Sequence, residues 1–223
     1  GGMATSTAGP ADAQKKKRIL EGARAIFFRE GVSSVTMEQV AGRLGISKKT
    51  LYKHFSNKDQ LVVEAIEERI REVGGMVDAA VNDTSQTFPR RLASIFTVVG
   101  HQLAEIGETL MRDVYYRQPS LWEQIDRFRR EHVFQAVLRL FEDGAREGYF
   151  RRDIDSRLVP TLFVSAASAI LTPAQIFALP VSPALVFETF ITILLGGILT
   201  DEGREQFELA KPPSAPPRGE VES

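Results

Sequence analysis

The sequence predicts an all-α protein of about nine helices, an N-terminal three-helix helix-turn-helix unit followed by a larger C-terminal helical domain. Three observations carry that expectation. Apolar residues recur at helical spacing along nearly the whole chain, with almost no period-two alternation. Capping residues and glycines stand where helices should begin and end. The stretch GRLGISKKTLYKHFSNKDQL at 42–61 places a glycine turn ahead of a short, lysine-rich helix.

The elements follow in order. Residues 13–30 put Ile19, Leu20, Ala23, Ile26 and Phe27 on one face, and Gly31 closes that helix. Thr36 and Gln39 have the spacing of a capping box, opening a short helix with Met37, Val40, Ala41 and Leu44 inward and Gly45 as its stop. Ser47 caps the next helix, to about Phe55. Ser56 and Asp59 repeat the capping pattern before a long helix to about Ala80. Residues 88–106 carry a further apolar stripe, and 107–117 form a shorter helix. Ser120 and Glu123 cap a long helix to about Gly148, Asp155 or Ser156 opens the next to 179, and Ser182 with Pro183 opens the last to 200. Residues 1–11 read as a disordered tail in which the GG before Met3 is a non-native extension. Residues 12–60 form the helix-turn-helix domain and 61–209 the C-terminal domain. Residues 210–223 are a disordered Pro-rich tail.

Composition narrows the possibilities. The 223 residues carry a net charge of −1, but unevenly. Residues 10–60 hold eleven Lys and Arg against five Asp and Glu, and the remainder of the chain is acidic. Only Lys211 lies beyond Lys58. A basic head on an acidic body favours a polyanionic partner over a merely solvated face. The absence of cysteine removes disulfides and thiolate chemistry and suits the cytoplasm, the expected location. Residues 1–10 show no apolar core of a secretory signal. The three histidines stand apart with no metal spacing, and no nucleotide-binding or nucleophile-elbow motif occurs, so no enzyme, cofactor or metal is expected. The apolar segments 158–179 and 184–198 raise a transmembrane alternative. Their polar residues, Glu188 among them, and lengths near or below the roughly 20 residues a bilayer needs point instead to buried helices where a second copy completes the core.

On a helix over 47–55, Leu51 and Phe55 face inward while Lys49 and Lys53 face out, flanked by Thr50 and Tyr52, with Lys48 near the N-terminal edge. A basic, exposed second helix of this kind fits a major groove. Its cations can meet phosphates or guanine acceptors, and its hydroxyls phosphates. The bland alternative is a solvated helix hairpin, and a helical protein–protein adaptor is the rival function; the adaptor leaves the basic head unexplained.

The run Thr36, Val40, Ala41, Leu44, Gly45, Ile46, Ser47, Thr50, Leu51, Tyr52, His54, Phe55, Asn57, Lys58 and Leu61 resembles the N-terminal domain of the TetR/AcrR family of bacterial transcriptional regulators over residues 15–65. The 106–150 region is similar to the AefR-like subgroup. The resemblance implies a ligand-responsive regulator, a repressor in most of the family, that binds a pseudo-palindromic double-stranded DNA operator as a homodimer and is released by a small-molecule effector. It implies DNA contacts by Thr36, Lys48, Thr50, Tyr52 and His54, with phosphate at Lys58. Lys49 departs from the family's usual small residue and adds a phosphate or base contact, as the outward Lys53 does. The expected effector residues are Met111, Tyr115, Trp122, Ile125, Phe128 and His132, an aromatic set suited to an apolar or amphipathic molecule. Residues 156–200 are the expected dimer interface, where Gly196, Gly197 and the small residues 165–169 permit close helix approach.

Overall fold

The computed structural model describes residues 9–170 and 172–211. Among these are α1 Pro10–Glu30, α2 Met37–Arg43, α3 Lys48–His54, α4 Lys58–Asn82, α5 Phe88–Glu105, α6 Glu108–Arg117 and α7 Pro119–Phe128. A π-turn, Arg129–Val133, leads into α8 Phe134–Arg146, followed by α9 Val159–Ile170, α10 Pro173–Ala178, α11 Pro183–Ile198 and α12 Asp201–Ala210. The protein is all-α; the one β-type pairing among the described residues is an isolated bridge between Phe150 and Leu199.

The count exceeds nine for three local reasons. The π-turn divides the helix expected over 120–148. Thr172 caps a new helix inside the segment expected to run unbroken to 179, its hydroxyl accepting from the Gln175 N–H. Thr200 caps α12, which also has Asp201 and Glu202 in its first turn. Other starts shift. Helix α1 begins at Pro10, inside the expected tail, where proline in the first turn needs no N–H partner. Asn57, rather than Ser56 or Asp59, caps α4: its Oδ1 accepts from Gln60 N at 2.9 Å, and Gln60 Oε1 accepts from Ser56 N at 2.7 Å. Helix α7 opens at Pro119 with no side-chain cap, so Ser120 does not serve as one. The expected tail residues 1–8 and 212–223 lie outside the described residues.

The chain divides into two units. The first comprises residues up to Gly75 together with Gln102–Val133; the second comprises Met76–His101 and the residues from Phe134 onward. The first unit is built on an apolar core from Ile19, Ala23 and Phe27 of α1, Val40 of α2, Leu51 and Phe55, Leu61 and Val62 of α4, Leu110 and Val114 of α6, and Leu121 of α7. Ion pairs brace its rim: Glu72 meets Arg24 at 2.8 Å and Arg69 at 3.0 Å, and Arg69 also reaches Glu105 at 2.8 Å. The second unit has an aromatic core. Phe88 packs edge-on against Phe141 and Phe150, and Phe96 meets Phe163, Phe187 and Phe207. Its buried Arg91 donates to the Val81 carbonyl and to Asp143. No helix among the described residues is long and apolar enough to cross a membrane.

Candidate nucleic-acid interface

The α2–α3 pair is shaped by caps and one glycine. Thr36 Oγ1 accepts from Gln39 N at 3.2 Å while Gln39 Oε1 accepts from Thr36 N at 2.9 Å, a complete capping box. The Thr36 hydroxyl keeps its own hydrogen as a donor. Gly45 turns the chain at φ 66°, a left-handed conformation that favours glycine. Ser47 then caps α3, accepting from Thr50 N at 3.0 Å. Leu51 and Phe55 are fully buried and seat α3 on the core. Each stabilises that seat by about 1.5–3 kcal/mol.

That seating turns the opposite side of α3 to solvent. Lys48, Lys49, Tyr52 and Lys53 are exposed, Thr36 is exposed at the head of α2, and Thr50 is half-buried. Lys48 Nζ lies 2.5 Å from Glu38 Oε1 and 5.9 Å from the centre of the Tyr52 ring. The hydrogen bond from Lys48 holds the Glu38 carboxyl below its ordinary value, and the same bond raises Lys48. Lys53 Nζ stands 3.7 Å from Asp12.

Two expected DNA contacts are turned inward. His54 Nε2 faces the same Asp12 carboxylate at 3.7 Å, and its side chain is only 6% exposed. Lys58 Nζ donates to the carbonyls of Val32 at 2.9 Å and Val35 at 3.0 Å, so two of its three donors are engaged within the protein. Both partnerships span more than twenty residues of sequence, beyond the reach of helical spacing. The Glu38 pairing with Lys48 likewise has no local signal in the sequence, because it depends on how α2 and α3 cross.

Behind this face, the 31–36 turn is anchored by α6. Asp113 Oδ2 accepts from the N–H of Val32 at 2.7 Å and of Ser33 at 3.0 Å, and Oδ1 accepts from the Ser33 hydroxyl at 2.6 Å. Partial burial pushes the Asp113 carboxyl up, but the Ser33 hydroxyl, the two N–H groups and Arg117 outweigh it and leave it below its ordinary value. Gly31, at φ 78°, packs so closely on α6 that a Cβ there would fall 2.6 Å from Thr109 Cγ2.

The six expected effector residues all fall in the first unit. Met111 is buried, Tyr115 is exposed, and the Tyr115 and Trp122 rings meet edge-on at 5.4 Å. Trp122 and Ile125 lean on the apolar core. Phe128 stacks on His132 at 5.2 Å, and both face Gly74 of α4, where a Cβ would lie 3.3 Å from Phe128 and 3.5 Å from His132. A separate open cleft of about 480 Å³ in the second unit is lined by Arg151, Arg152, Asp153, Arg204 and their neighbours, a charged surface unlike this aromatic set.

Comparison with known proteins agrees with this geometry. Residues 19–65 match the family described as bacterial regulatory proteins, tetR family. The chain is 24% identical over 186 residues to the HTH-type transcriptional regulator YvaF of Bacillus subtilis, covering 83% of this chain and 96% of that one. It is 27% identical over 199 residues to the HTH-type transcriptional repressor KstR2 of Mycobacterium tuberculosis, covering 85% and 94%. Among solved structures, a TetR-family transcriptional regulator from Agrobacterium tumefaciens shares the fold with a TM-score of 0.61 at 16% identity, covering 84% of this chain and 99% of that one.

Proposed function

This chain belongs to the TetR family of bacterial regulatory proteins and is a helix-turn-helix transcriptional regulator rather than an enzyme, and from there we propose that it is a repressor that binds a pseudo-palindromic operator as a homodimer and is released by a small amphipathic effector. The observation that carries the reading is the outer face of α3: Lys48, Lys49, Tyr52 and Lys53 are exposed on a helix whose other side is locked into the core by Leu51 and Phe55. A rigid seat with a cationic, hydroxyl-bearing surface is what groove reading requires. Thr36 and Thr50 supply hydroxyls at its edge, and Lys58 and His54 support the head from within.

In the proposed division of labour, residues 12–60 read DNA, and 61–209 bind the effector and dimerise, in the cytoplasm. Helices α9 and α11 support the dimer. Each buries one stripe, Val159, Phe163 and Ala167 in α9 and Phe187, Ile191 and Leu195 in α11. The other side of each carries exposed apolar or small residues, Leu162, Ser165 and Ala169 in the first and Leu185 and Ile193 in the second. Such faces suit a second copy of the chain. For the effector, Phe128 and His132 beside Gly74, with Met111, Tyr115, Trp122 and Ile125, combine apolar area with few polar handles. The relative KstR2 of Mycobacterium tuberculosis is described as a ketosteroid transcriptional regulator.

The test is selection of bound fragments from randomised and genomic DNA by the purified chain. Recovery of a short two-fold-symmetric site is the expected result. Recovery of nothing at low salt, both before and after unfolding and refolding to strip a bound effector, would remove the DNA-reading function.

A further inference from the structure

We propose that Asp113 is a positioning residue for DNA recognition: from α6 it fixes the turn that delivers Thr36 and α2, and so sets where α3 is presented. The proposal rests on the DNA-reading function above and adds to it a determinant that lies more than fifty residues beyond the helix-turn-helix in sequence.

The turn is held by charge on both sides of its backbone. The Asp113 carboxylate takes two successive N–H groups, those of Val32 and Ser33, and the Ser33 hydroxyl as well. The Lys58 ammonium takes the carbonyls of Val32 and Val35. Val32 is therefore held at its N–H by α6 and at its C=O by α4. Hydrogen bonds to ionised groups are roughly twice as strong as neutral ones. Inside the turn itself, Val35 N reaches Val32 O at 3.3 Å and the Ser34 hydroxyl donates to the Glu30 carbonyl at 3.1 Å, so the clasps from α6 and α4 supply its shorter, charged bonds. Thr36 follows directly, and its capping box starts α2.

The fold survives loss of the clasp, at some cost in stability, because Ser33 and Ser34 are exposed. Water can take over the Ser33 N–H and hydroxyl if Asp113 is lost, and the apolar core beneath does not depend on them. What disappears is the fixed placement of the α2 start. Non-specific DNA binding needs only cations near phosphates and tolerates such slack. Sequence-selective binding needs the side chains of α3 in register with base edges and does not.

The experiment uses the full chain and two probes: a duplex selected by the wild type from a randomised library, and a scrambled duplex of equal length, at fixed salt. Asp113→Asn and Ser33→Ala are compared with the wild type, and Asp113→Glu tests rescue. The expected result is that Asp113→Asn loses about tenfold in preference for the selected duplex while its affinity for the scrambled duplex changes less than about twofold. Ser33→Ala should fall between, and Asp113→Glu should recover part of the loss. Amide exchange at Val32 and Ser33 should quicken in Asp113→Asn with the core amides still protected. A variant that keeps full preference overturns the proposal. So does one that loses both affinities in parallel with protection of its core, which would make Asp113 merely structural. A wild type that selects no duplex overturns the DNA-reading function and this proposal with it, whereas a selective wild type with equally selective variants removes Asp113 alone.

Discussion

The Lys48 ammonium lies 2.5 Å from the Glu38 carboxylate, so an ion pair ties α3 to α2 on their solvent face. A phosphate or a guanine edge has to compete with that carboxylate for the lysine. Replacing Glu38 with Gln should release Lys48 and remove a negative charge from the approach surface. Affinity for any duplex should then rise about two- to fivefold at low salt, as expected for one exposed pair, and the gain should shrink as salt is added. A titration against a scrambled duplex checks this; unchanged affinity would mean that Lys48 stays off the DNA.

Tyr52 is 41% exposed and sits between Lys48 and Lys53 on the same face. Tyr52→Ala should weaken binding by roughly tenfold on every sequence, through loss of a backbone contact. It should leave the melting temperature within about 2 °C, because surface changes of this kind cost little. Fluorescence anisotropy on selected and scrambled duplexes, paired with calorimetry, separates the outcomes. Affinity within a factor of two of wild type would show that this face is not the reader.

The Asp113 clasp makes a pH prediction. Its carboxyl is held below the ordinary carboxylate value in the folded chain, so its stabilisation is fully present above the unfolded value, about 4, and is lost as pH falls through the folded value. Asp113→Asn removes it at every pH. The melting temperature of the variant should lie several degrees, about 3–8 °C, below wild type at pH 7. The gap should begin to narrow as pH falls below about 4 and close as pH falls through the folded value. A gap that does not narrow at all with acidification would show that the ionised carboxylate is not what the turn depends on.

Gly144 of α8 is buried against the Phe88 ring, where an added Cβ would fall 2.8 Å from two ring carbons. Phe88 is fully buried and cannot swing away, being held by Phe141 and Phe150. Alanine gains about 1 kcal/mol of helix propensity over glycine, but overpacking costs about 1–3 kcal/mol. Gly144→Ala should therefore be neutral to destabilising by up to about 2 kcal/mol, and Gly144→Val clearly destabilising. Denaturant unfolding of both variants measures the difference; a stabilised valine variant would contradict the packing described here.

The sequence made the local logic of the head legible and its long-range logic opaque. Leu51 and Phe55 were placed inward, and Lys49, Tyr52 and Lys53 outward, from helical spacing alone, because one turn of helix fixes which side chains share a face. Thr36 and Ser47 were readable as caps for the same reason: their partners, Gln39 and Thr50, stand three residues away. The partners of Lys58 and His54 within the protein, Val32, Val35 and Asp12, carry no local signal, because they come from other elements whose approach depends on packing. Asp113 gave no local signal, being one acidic residue on an amphipathic helix. The α12 start has a local signal in Thr200, Asp201 and Glu202, a cap followed by two acidic residues in the first turn. The π-turn has no spacing signature, since the apolar pattern runs through it from Leu121 to His132.

That π-turn bears on how sequences of this kind can change in length. A wide turn of five residues takes up one residue more than the α-helical path it replaces. Deleting one residue from Arg129–Val133 would restore regular α-helix and leave the flanking segments facing as they do now. A deletion elsewhere in 119–146 would instead rotate everything downstream by about 100°. Single-residue gaps are thus accommodated at this segment without turning the Phe134–Phe141 face away from its core.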